Sequence, residues 1–245
     1  MTIDHSAALT DRARSFLGDG ILSPRWSRGV TASEVVIDNS IGEEMKEIAK
    51  RFGDELIEFD SSFGGRVVLI YGGVLEGELE LGCGAGETVL RRKPDGGLFA
   101  RVARHDSAQC SIVMATDGRL GCSWSDEFHP LFDSVADFIE DCTRWNLVRT
   151  WRYVAIVDAD VDSLGEIPAL LELEESLSGS LSSWWSGDDV AVVCHCFLNP
   201  GREPSRQVMV LTAGDARTSS LRHDLARAGC GERQFLPADI RGRVK

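Results

Sequence analysis

Four short stretches carry residues whose types and spacing suit chemistry. In Glu80-Leu81-Gly82-Cys83-Gly84-Ala85-Gly86-Glu87 three alternate glycines follow an alternating run, as where a strand enters a loop lying against a cofactor. Asp106 lies downstream, about where a carboxylate for ribose hydroxyls would be sought. Asp158, Asp160 and Asp162 are spaced like the start of a calcium loop. Ser163, however, occupies the tight-turn glycine position, and no glutamate stands at the twelfth, so a polar loop after a strand is expected. Cys194-His195-Cys196 puts two thiols on one face of a strand and the imidazole on the other. With no second Cys/His pair at zinc spacing, it reads as a core strand. His129 and His223 have no serine or cysteine in a nucleophile-elbow context, so no catalytic residue and no metal ligand is assigned.

The glycine loop is similar to the first motif of S-adenosylmethionine-dependent methyltransferases, and that resemblance defines an alternative function. Such a loop must open a helix packed on a parallel sheet. Only Glu87–Lys93 is available before the turn Pro94-Asp95-Gly96-Gly97, and its charged end offers no apolar face. A turn between two strands is therefore the expectation, without a cofactor.

The elements that position these residues follow from periodicity. Ser6–Leu17 reads as a short helix ended by Gly18-Asp19-Gly20, and Val35–Ile37 as a short strand. Ser40 and Glu43 form a capping box, followed by Ile41, Met45, Ile48, Ala49 and Phe52 at helical spacing, with Gly53 as the stop. From Arg66 to Trp124 short strand-like runs alternate with glycine-rich turns: Arg66–Tyr71, Glu78–Leu81, Glu87–Arg91, Leu98–Arg104, Cys110–Ala115 and Arg119–Trp124. Asp117-Gly118 marks the tightest hairpin, because both residues tolerate positive φ. Ser125–His129 reads as a loop. A helix then starts with Ser134 as its cap and sets Val135, Phe138, Ile139, Cys142 and Trp145 on one face.

After Trp151 the pattern changes. Tyr153–Val157, Val190–Phe197 and Gln207–Thr212 read as strands, with helices from Pro168 and from Asp215 through Leu221, Leu225 and Ala228. Ser176–Gly187 reads as a serine-rich loop in which Trp184-Trp185 packs. The fold class expected is α+β: a twisted, mainly antiparallel sheet flanked by helices over residues 1–150, with a C-terminal α/β domain or extension over 151–245.

Composition narrows function. The 245 residues are 43% hydrophobic, with no apolar run near the roughly 20 residues of a membrane span. Met1–Asp11 lacks a charged-then-apolar leader pattern, and the seven scattered cysteines read as buried thiols, so a cytoplasmic location is expected. A net charge of −13 argues against nucleic acid or an anionic membrane as partner and suits a basic protein.

Residues from about Phe16 to Trp145 resemble the SUKH superfamily, which includes immunity proteins to bacterial polymorphic toxins. The features are Gly18–Arg25, the helix ending in Phe52-Gly53, Phe63-Gly64-Gly65, the hairpin Met114–Arg119, and Pro130–Glu140 leading into the last helix. The resemblance implies a non-enzymatic protein that blocks a toxin by direct contact. Residues 151–245 lie outside it. On this reading partner-binding candidates are acidic and exposed: Asp126 and Glu127 in the Ser125–His129 loop, and Glu76, Glu78 and Glu80, which alternate along one strand.

Overall fold

The computed structural model describes residues 9–37, 41–70, 77–93, 95–105, 111–124, 127–158, 174–178, 182–197 and 205–227. The sequence features at Ser40, Gly72-Gly73, Glu76, Asp106, Asp126, Asp160, Asp162, Pro168 and Ala228 lie outside these residues. The chain divides into two compact units, Met1–Asn146 and Leu147–Lys245.

The first unit is α+β. Thr10 caps α1 (Asp11–Asp19) by accepting the Ala13 amide at 3.2 Å, while its own amide donates to Glu140 Oε1 at 2.8 Å. A 3-10 turn over Ala32–Glu34 leads into β1 (Val35–Ile37). After a second 3-10 turn, α2 runs from Lys46 to Phe63. It does not stop at Gly53. Leu56, Phe59 and Phe63 continue the buried face set by Ala49 and Phe52. Gly53 serves a close contact instead: a Cβ there would lie 3.3 Å from Val35 Cγ1. Gly64 ends the helix, and Gly65 takes φ 77°.

Seven further strands join β1 in a single eight-stranded sheet. They are β2 (Val67–Ile70), β3 (Gly77–Leu81), β4 (Thr88–Arg92), β5 (Leu98–His105), β6 (Ser111–Ala115), β7 (Leu120–Trp124) and β8 (Glu127–Phe132). The order is β1-β4-β5-β6-β7-β8, with β2 joined through β3 to β5. Among the described strands of this sheet, only β1 and β4 pair in parallel. The stretch expected as a loop at Ser125–His129 is largely strand, because β8 pairs with β7 from Glu127 to Phe132. Pro130 is tolerated there because, among the described strands, β8 has a neighbour on one side only.

One face of this sheet is the core. Val68, Ile70, Leu79, Leu81 and Leu90 are at most 2% exposed, and α2 packs across β5. α3 (Val135–Val148) is capped as read: Ser134 Oγ accepts the Asp137 amide at 3.1 Å. Its Phe138, Ile139, Cys142 and Trp145 are buried, and Phe138 meets Phe132 of β8 edge-on at 5.2 Å.

The second unit is an antiparallel five-stranded sheet, ordered β10-β11-β12-β13-β9, with one helix among the described residues. Its strands are β9 (Arg152–Asp158), β10 (Glu174–Ser178), β11 (Ser182–Ser186), β12 (Val190–Phe197) and β13 (Ser205–Thr212). The serine-rich loop expected at Ser176–Gly187 is mostly two strands. Ser182 and Trp184 alternate inward, and Trp184 is 1% exposed. Leu221 and Leu225 of α4 (Asp215–Arg227) pack on Val190, Val192 and Cys194. Cys194 and His195 are both buried in β12, as a core strand requires. Among the described residues no group of three or more His, Cys, Asp or Glu is placed to hold a metal, and no helix is long and apolar enough to cross a membrane.

Candidate functional site

The glycine loop joins β3 to β4, so a strand rather than a helix follows it. It is tied down along its length. Asp60, in the last turn of α2 and 5% exposed, accepts the Cys83 amide on Oδ1 at 2.6 Å and the Val30 amide on Oδ2 at 2.7 Å. Gly82 donates to Val102 O at 2.6 Å, and Gly86 to Glu34 Oε1 at 3.0 Å. Gly82 (φ 111°) lies under the Trp26 ring, where a Cβ would come within 2.5 Å of the indole. The loop therefore welds the N-terminal segment to α2 and the sheet.

The electrostatics agree with a structural role. Burial raises the Asp60 carboxyl above its ordinary range, partly offset by the amides of Val30, Cys83 and Gly84. Burial, then the charge of Asp60 and a hydrogen bond to it, push the Cys83 thiol well up, which leaves it a poor nucleophile.

The acidic candidates do not form one patch. Glu78 and Glu80 of β3 point away from the core, opposite Leu79 and Leu81. Glu78 is exposed. Glu80 is half-buried and accepts a hydrogen bond from Ser23 Oγ. Glu127 is exposed at the start of β8, with Oε2 3.9 Å from His129 Nε2. His129 pairs with buried Cys122, so Glu127 and His129 project from the opposite face to Glu78. The path from β3 to β8 crosses β5, β6 and β7, roughly 19 Å at the usual strand spacing. Glu76 and Asp126 lie outside the described residues.

The outward face carries a feature that charge counting missed. Phe99 and Arg101 alternate on β5, and opposite them stand Ala115 and Val113 of β6 and, across from Phe99, Arg91 of β4. A β-bulge between Arg101 and Ala103 then turns Arg104 to the same face, beside Glu80. Without it, residues three apart would point to opposite sides. The Arg104 guanidinium also donates to Cys83 O at 3.4 Å. A cavity of about 270 Å³ opens beside Arg91 and Arg101. Further along this face, Phe128 packs on the cluster Phe99, Val113 and Ala115 and sits beneath Lys93 Nζ at 4.9 Å. Lys93 is buried and clasps two turns, meeting Asp95 at 3.0 Å and Asp117 at 3.2 Å.

No protein-family model, no curated protein and no solved structure matches this chain.

Proposed function

We propose that the chain is a non-enzymatic binding protein of the SUKH immunity type, which neutralises a bacterial toxin by protein–protein contact in the cytoplasm. The observation that carries this reading is the use made of Gly82–Gly86. The segment with cofactor-like spacing is held by Trp26, Asp60 and Glu34, and Gly82 and Gly84 lie close against Trp26 and Arg104. The α+β architecture agrees with the fold that the resemblance implies. The net charge of −13 would steer a basic toxin, and Glu78, exposed on a regular strand, is the best placed of the acidic candidates to meet it.

The test is co-expression with a toxic effector, should one be found encoded beside this chain's gene. Restored growth of the producing cells is expected. Unrestored growth, with saturable S-adenosylmethionine binding that Gly84→Val abolishes, would replace this reading with the methyltransferase one.

A further inference from the structure

We propose that the fork between β4 and β5, on the outward face of the first sheet, is a binding site for a small organic anion with a carboxylate or phosphate head on an apolar body. This goes beyond the toxin-binding reading and does not depend on it.

The fork is a product of the pairing. β5 pairs with β4 only through Arg91↔Phe99 and Arg92↔Leu98. It then passes to β3, which it pairs from Ala103 to His105. β4 meanwhile pairs with β1 over Thr88–Leu90. The two strands therefore part beside Ala100–Val102. The opening that results holds about 270 Å³, near the lower end of small-ligand sites, and is lined by Thr88, Val89, Arg91, Phe99, Arg101 and Val113.

Its chemistry is cationic at the rim and apolar at the floor. Phe99 and Val113 form a buried floor, and Val89 adds an apolar lip that is 38% exposed. Arg91 and Arg101 share this face, and the β5 bulge brings Arg104 to it as well. The guanidinium of Arg101 is held below its ordinary range, first by burial and then by the neighbouring charges of Arg104 and Arg91. Among the described residues no carboxylate pairs with Arg101, although the chain carries 39 acidic side chains. Glu87, exposed on the same opening, makes no ion pair with it. A guanidinium with no carboxylate of its own, such as Arg101, is stabilised by an anion from outside, and it offers carboxylate and phosphate a two-pronged set of donors. The apolar floor adds affinity only for an anion with an apolar body.

The test is calorimetric titration of the purified chain with phenyl phosphate, benzoate and inorganic phosphate. Saturable binding of phenyl phosphate or benzoate is expected, with inorganic phosphate weaker. Arg101→Ala should weaken it at least about tenfold, and Arg101→Lys should recover only part, because it restores charge without the fork of donors. Arg92→Ala, exposed on β4 but outside the opening, should leave binding unchanged. Val89→Glu should also abolish binding, by placing a negative charge on the lip without disturbing the core. Absence of saturable binding, or binding unaffected by both Arg101→Ala and Val89→Glu, overturns the site. Inorganic phosphate binding as tightly as phenyl phosphate overturns the organic ligand. A glutamate-rich peptide binding where the small anions do not assigns the face to protein contact instead.

Discussion

Asp60 Oδ1 accepts the backbone amide of Cys83 at 2.6 Å, so one buried carboxylate on α2 fixes the course of the loop between β3 and β4. Its other oxygen holds Val30. Asp60→Ala strands both amides and should cost about 2–4 kcal/mol, read from urea unfolding midpoints. Asp60→Asn keeps one acceptor and should cost less. The pH dependence has a definite sign. The folded-state pKa is raised, so the folded chain holds this proton more tightly than the unfolded chain does. The stabilisation is full below the unfolded pKa and declines as pH rises through the raised value. Asp60→Asn should remove that decline.

Asp117 behaves oppositely. Burial raises its pKa, but hydrogen bonds from Arg119 and Lys93 outweigh this and hold it at about 2, against an ordinary 3.8. Its contribution is present above the unfolded value and is lost as pH falls through the folded one. The carboxylate is 41% exposed, so after solvent screening the effect is at most about 1 kcal/mol. Wild type should lose its advantage over Asp117→Asn as pH drops from about 4 to 2, as followed by thermal unfolding.

Gly82 and Gly86 both have positive φ, at 111° and 114°, yet only Gly82 lies under the Trp26 ring. A Cβ at Gly86 meets nothing within 4 Å. Gly86→Ala should cost only backbone strain, about 1–3 kcal/mol, and Gly82→Ala distinctly more. Adding Trp26→Ala should recover part of the Gly82→Ala loss but none of the Gly86→Ala loss. Additive losses at Trp26 and Gly82 would refute the contact as the cause.

Glu78 and Glu80 should separate binding from folding. Glu78→Lys alters an exposed side chain and should leave the melting temperature nearly unchanged, while slowing association with a basic toxin and flattening its salt dependence. Glu80→Lys breaks the contact with Ser23 and places a cation beside Arg104, so it should lower the melting temperature. Association rates measured against ionic strength distinguish the two.

Where sequence and structure agree, the signal was local. The Asp117-Gly118 hairpin, the Ser134 cap and the buried face of α3 are each set within a few residues. Where they differ, a distant partner decides. Gly53 looks like a helix stop until Val35 is beside it, although Leu56, Phe59 and Phe63 already continued the spacing. β8 looks like a loop because Pro130 and its charged start suit one, and only pairing with β7 reveals a strand. The serines of β11 hide a strand that Trp184 anchors. The arginine cluster was the least legible feature. Arg101 and Arg104 stand at a spacing that regular strand geometry sends to opposite faces, and nothing local in the sequence marks the bulge that unites them.

The most direct test of the toxin-binding account is a calorimetric titration of the purified chain with a toxic effector identified in the neighbourhood of its gene. The account predicts a saturable one-to-one complex that weakens as salt rises and whose formation stops the effector's activity. No heat with the effector, together with saturable heat from S-adenosylmethionine, would contradict it.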